Sequence, residues 1–119
     1  MKHVEDNEQI ALMEWAQLQS CKFPELSLLF HIPNGGKRNE IEAVRFKKMG
    51  VKAGVPDLFL PAAHGGFHGL FIEMKAPKGK PTVIQKEWHK HLKAGGYVVE
   101  ICYGFEEAKK ALIAYLNLK

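Results

Sequence analysis

Asp57, Glu73 and Lys75 have the types and spacing that phosphodiester hydrolysis asks for. Glu73 and Lys75 stand two apart in Leu70-Phe71-Ile72-Glu73-Met74-Lys75, so on a strand their side chains leave from the same face. Asp57 opens another short apolar run, Leu58-Phe59-Leu60, and the interval 58–72 is long enough for one strand, a loop and the return. Antiparallel pairing of the two runs sets the carboxylates side by side, where they repel unless a cation neutralises them. Oxygen-only ligation with open positions for water suits Mg²⁺. Such an ion polarises a phosphoryl oxygen and acidifies a bound water, and a neighbouring lysine orients that water or stabilises charge in the transition state. Glu8, in line with the apolar stripe of its helix, and Gln85, in the first turn of a later helix, offer a further acid and a water- or substrate-orienting amide. Each residue also has a plainer reading. Asp after Pro is a common turn residue, Glu-x-Lys on a strand is often a solvated ion-pair face, and a first-turn glutamate such as Glu8 is favoured by the helix dipole.

The elements that must position these residues can be read from periodicity and punctuation. Asn7 to Gln19 has helical spacing, with Glu8, Ala11, Leu12, Trp15, Ala16 and Gln19 on one stripe. Leu26 to Ile32 reads as a first strand, ended by Pro33-Asn34-Gly35-Gly36. Glu40 to Met49 reads as a short basic helix closed by Gly50. Asp57–Leu60 and Gly69–Lys75 form the expected antiparallel hairpin across the loop 61–68. Thr82 is the expected N-cap of a helix running to about Ala94, with Gly95-Gly96 as its stop. Tyr97–Cys102 is the last strand and Phe105–Leu118 the last helix, with Phe105, Ala108, Leu112 and Tyr115 on its buried side. A strand–helix–strand unit of this kind closes as a right-handed parallel crossover. The expected order is αβαββαβα, an α/β fold with a mixed sheet flanked by helices.

Length and composition fit one domain over residues 1–119, large enough to bury a core without disulfides. Cys21 and Cys102 lack metal-type spacing and read as reduced thiols, with a single bridge between them as the alternative. The polar start Met1-Lys2-His3-Val4-Glu5-Asp6 is unlike a signal peptide, and no apolar run approaches a membrane span, so no membrane contact and an intracellular, cytoplasmic location are expected. The net charge of +4 is unevenly placed. Lys37, Arg38, Arg45, Lys47, Lys48 and Lys52 make one basic stretch, and Lys75, Lys78, Lys80, Lys86, Lys90 and Lys93 make another. Charge alone leaves open whether these are solvated faces or surfaces for nucleic-acid phosphates. On the second reading Asn34, Lys37, Arg38, Arg45, Lys52, Lys78 and Lys80 are the candidate DNA contacts, Asn34 through its turn backbone.

The wider string is more specific than the three central residues. Glu8-Gln9-Ile10, Ile32-Pro33-Asn34-Gly35-Gly36-Lys37-Arg38, Gly50-Val51-Lys52-Ala53-Gly54, Val55-Pro56-Asp57, Glu73-Met74-Lys75 and Gln85-Lys86-Glu87-Trp88 together resemble the VRR-NUC (virus-type replication–repair nuclease) family, in its compact stand-alone phage and bacterial form. That family lies within the PD-(D/E)xK nuclease superfamily. The resemblance covers about Glu5 to Ala108 and implies a restriction-endonuclease-like fold and Mg²⁺- or Mn²⁺-dependent DNA cleavage. It implies metal ligation by Asp57, Glu73 and the main-chain carbonyl of Met74, with Lys75 as catalytic lysine. Glu8 and Gln85 match the auxiliary acidic and amide positions, with Glu5 as the acid that a register shift would substitute for Glu8. It also implies a homodimer acting on four-way junctions or other branched DNA, in the cytoplasm of a bacterium or phage-infected cell. Two other readings stay open: a restriction-type or single-strand nuclease with the same chemistry, and a DNA-binding module that holds branch points without cutting.

The remaining polar and aromatic residues invite no stronger reading. The histidines form no ligand set: His64 and His68 bracket a glycine-rich loop, and His89 and His91 are two apart on a helix and do not face each other. Trp15 and Trp88 read as core residues. Tyr103 and Phe67 are available to DNA or to a partner subunit.

Overall fold

Side-chain alternation in the two central strands gives the sheet an apolar face and a face that carries the charged residues. The computed structural model of the chain describes residues 4–33 and 39–119. Its elements are α1 (Val4–Gln19), a 3-10 turn (Pro24–Leu28), β1 (Phe30–His31), α2 (Glu40–Lys48), β2 (Leu58–Leu60), β3 (Leu70–Lys75), α3 (Val83–Ala94), β4 (Val98–Tyr103) and α4 (Phe105–Leu116). The sheet runs β1-β2-β3-β4. β1–β2 and β2–β3 are antiparallel, and β3–β4 is parallel across α3. This is the expected mixed sheet and the expected element order.

The apolar face is built from Leu58 and Leu60 of β2 and Leu70, Ile72 and Met74 of β3, all buried. Leu12 and Ala16 of α1 and Ala108, Leu112 and Tyr115 of α4 close over it to form one core cluster. Each of these positions removes apolar surface from water, at roughly 25 cal/mol per Å². The opposite face begins with an aromatic row. Phe30, Phe59 and Phe71 are directly paired across β1, β2 and β3. Phe59 and Phe71 stack at 4.2 Å, and Phe30 meets Phe59 edge-on at 5.9 Å.

The first strand departs from the expectation. In place of an extended run from Leu26, the chain makes a 3-10 turn over Pro24–Leu28, and β1 is only Phe30–His31. Pro24 sits at the start of that turn, where its missing N–H costs nothing, and Ser27 Oγ donates to its carbonyl at 2.8 Å. Leu26 and Leu29, three apart, are the two leucines that this turn buries.

Helix α2 has the Asn39 cap, with Oδ1 accepting from the Glu42 amide at 2.8 Å, and none of its residues is buried. Trp88 is also placed differently from the expectation. It lies outside the core cluster, where its ring N–H donates to the carbonyl of Ala53 at 3.1 Å. The backbone at Gly54 has φ +92°, and a side chain there would collide with Ile84, so only glycine lets the loop before Asp57 close onto α3.

Candidate active site

The hairpin register brings the acids together. Leu58 pairs with Ile72, so Asp57, one residue before β2, comes opposite Glu73 on the face that also carries Lys75. The Asp57 backbone is fixed from the other side by Ile32, whose N–H donates to its carbonyl at 2.8 Å. Its side chain turns to β3, and Oδ2 accepts from the Met74 amide at 2.7 Å.

Glu73 is 2% exposed, and both its oxygens are held from α3. Gln85 Nε2 donates to Oε2 at 3.3 Å, and His89 Nε2 lies 3.3 Å from Oε1. Burial, then the Asp57 charge and a hydrogen bond between the two carboxyl groups, push Glu73 up to about 9. Lys75 acts in the opposite direction without cancelling them, and the charge of Glu5 adds a smaller upward push. Burial, with Lys93 and Lys75 nearby, holds the His89 imidazole below its ordinary value.

Gln85 has a second task that fixes the first. It is the third residue of α3 in a capping box, where its Oε1 accepts from the Thr82 amide at 2.9 Å and its own amide donates to Thr82 Oγ1 at 3.2 Å. With the carbonyl end of the side chain taken, the NH₂ end is left for Glu73.

Glu8 is half-buried on α1. Its Oε1 accepts from the Phe105 amide at 2.7 Å, at the start of α4. Gly104 caps that helix with φ +97° and has no side chain to offer, so a carboxylate from α1 supplies the acceptor. Glu5 is the α1 acid whose charge reaches Glu73.

Lys75 is half-buried at the end of β3. Lys78 and Lys80 lie in the loop 76–81, with Lys78 at φ +68°, and Tyr103 Oη donates to the Gly79 carbonyl at 2.8 Å. Tyr103 pairs with Lys75 across β3 and β4, so its hydroxyl ties the basic loop to the strand edge beside the lysine. Arg45 and Lys52 are exposed. Asn34, Lys37 and Arg38 lie outside the described residues.

His89 is the residue that the sequence reading passed over. His91, two residues on, does not face it, whereas Gln85, four residues earlier, lies on the same helical face. That spacing is visible in the sequence once Gln85 is assigned to the site.

Among the described residues, no three His, Cys, Asp or Glu side chains gather as a metal-binding group. What the site offers is a pair of neighbouring carboxyl groups. That suits Mg²⁺ or Mn²⁺, since Mg²⁺ commonly takes one or two carboxylates and keeps several waters. A divalent ion held by Asp57 and Glu73 would oppose the burial and the Asp57 charge that push the Glu73 carboxyl up.

The chain is similar to known proteins over most of its length. A family model described as the VRR-NUC domain matches residues 4–106. A solved structure described as a VRR_NUC domain protein is similar at 34% identity and a TM-score of 0.81, over 97% of this chain and 89% of that one. No curated protein matches the chain.

Proposed function

The chain belongs to the VRR-NUC family of PD-(D/E)xK-type nucleases, and from that premise we propose that it is a Mg²⁺- or Mn²⁺-dependent endonuclease that nicks branched DNA. The observation that carries the site assignment is the pairing of Asp57 with a Glu73 carboxyl pushed up to about 9, on the strand face shared with Lys75. Asp57 and Glu73, with the main-chain carbonyl of Met74, would hold the ion. When bound, the ion polarises a phosphoryl oxygen of the scissile phosphate and acidifies an attacking water.

The chain's own residues do the rest. The Met74 amide holds Asp57 Oδ2 in place, so the aspartate faces the glutamate without losing its second oxygen. Lys75 orients the attacking water and offsets negative charge on the phosphoryl group as it builds. Gln85 keeps the Glu73 carboxylate in register with α3. Lys78 and Lys80, with Arg45 and Lys52, provide charge for the flanking phosphates.

We also propose that two copies act together, one site per subunit, so that paired strands of a four-way junction are nicked. The exposed Ile41, Val44 and Met49 around α2 are the apolar surface such a partner would cover. Among the described residues no helix is long and apolar enough to cross a membrane.

Cleavage of labelled four-way junction, flap, single-strand and linear duplex DNA, compared in Mg²⁺, Mn²⁺ and Ca²⁺, tests this reading. Metal-dependent nicking strongest on the junction supports it. Binding without cleavage in any metal would replace it with the branch-point binding module. Equal cutting of single strands or linear duplex would replace the junction substrate.

A further inference from the structure

The Glu73 carboxylate is gripped at both oxygens by one helical face. Gln85 and His89 stand four apart on α3, and each takes a different oxygen at 3.3 Å. Two donors on two oxygens fix the plane of the carboxylate as well as its position. The Gln85 arm cannot flip, because its carbonyl end is held in the capping box with Thr82. Among the described residues the His89 ring has no such second hydrogen bond, yet it is 6% exposed, so no bulk water stands ready to take its place. A metal-bound glutamate is ionised and only accepts, which makes the His89 Nε2 the donor and fixes its tautomer. A carboxylate has about four lone-pair positions, so two donors leave room for a cation on the side of Asp57.

We propose that His89 is a positioning residue of this site: its ring N–H, paired with the Gln85 amide, locks the Glu73 carboxylate in the plane that faces Asp57, and so sets the affinity for the divalent ion. The inference rests on the metal assignment proposed above. The competing account is a buried histidine that serves packing alone. Reach separates the two. Glutamine can place an N–H near the imidazole Nε2 position, whereas asparagine carries the same amide one carbon short.

The test is Mn²⁺ affinity, read by electron paramagnetic resonance of free Mn²⁺ without DNA, in wild type, Glu73→Ala, His89→Gln, His89→Asn and His89→Leu. Thermal unfolding of each metal-free variant checks the fold. Glu73→Ala should abolish binding at the site. His89→Asn and His89→Leu should weaken Mn²⁺ by about tenfold or more, the usual cost of losing a hydrogen bond that orients a metal ligand. His89→Gln should recover most of that loss while unfolding at a temperature close to that of the asparagine variant. Wild-type affinity in the asparagine variant, or equal weakening in the glutamine and asparagine variants, would overturn the role of His89. Absence of Mn²⁺ binding in wild type, or binding unchanged by Glu73→Ala, would instead overturn the metal assignment beneath it. Should His89→Leu fail to fold, the comparison of glutamine with asparagine decides alone.

Discussion

Glu73 ordinarily titrates near 4.5, and here burial beside Asp57 pushes it up to about 9. The unfolded chain releases this proton near the ordinary value, while the metal-free folded chain keeps it until about 9. Between those values the unfolded state binds fewer protons, so this group makes the metal-free fold less stable as pH rises. A divalent ion on Asp57 and Glu73 must displace the proton. Mn²⁺ affinity is therefore expected to increase from pH 6 to pH 8.5, with proton release measurable by calorimetry in buffers of different ionisation enthalpy. Affinity that is flat over that range would mean that Glu73 is not a ligand. Lys75 belongs to the same scale. Lys75→Ala is expected to slow nicking by about a hundredfold or more, in line with removal of a group that stabilises transition-state charge. Junction binding should stay largely intact in a gel-shift assay, and wild-type turnover would contradict its role.

At the scale of elements, helix ends and the hairpin register decide where the chemistry sits. The hairpin was legible because Glu73 and Lys75 share one strand parity, and the interval 58–72 allows little but a return strand. α3 was legible from Thr82 and the paired glycines, although the capping box gives Gln85 a task that ties helix start to site. Thr82→Ala is expected to lose about 1 kcal/mol of stability, as a lost N-cap does. It should also lower nicking, because Gln85 is then free to turn its amide away from Glu73. Unchanged activity with lowered stability would separate the cap from the site. The first strand was hidden because Leu26, Leu28 and Leu29 satisfy a strand pattern and a 3-10 pattern equally, and Pro24 decides between them. Glu8 stands out in the sequence, but its partner does not. An acid on an apolar stripe signals a buried acceptor, and the sequence does not show that its donor is the Phe105 amide, far along the chain. His89 was hidden because its neighbour on the helix face is Gln85 and not a second histidine.

The whole molecule puts an apolar core on one side of the sheet and charge on the other. Leu58, Leu60, Leu70 and Ile72 are fully buried under α1 and α4, and they set the register that pairs Asp57 with Glu73. Ile72→Ala should cost about 2–5 kcal/mol, read from denaturant unfolding, since it opens a cavity directly beneath the site. The basic residues act over longer distances. If Lys78, Lys80, Arg45 and Lys52 contact phosphates, DNA affinity should fall steeply with salt, with a slope of log K against log salt near −0.9 per contact. A flat response would make these four residues a solvated face.

Diffraction from crystals soaked in Mn²⁺, recorded at the manganese absorption edge, addresses the shared ion most directly. The expected result is an anomalous peak between the carboxylates of Asp57 and Glu73, within oxygen-ligand distance of both and absent from Glu73→Ala crystals. A peak elsewhere, or none at that position, would contradict the claim that these two acids hold the metal for DNA cleavage.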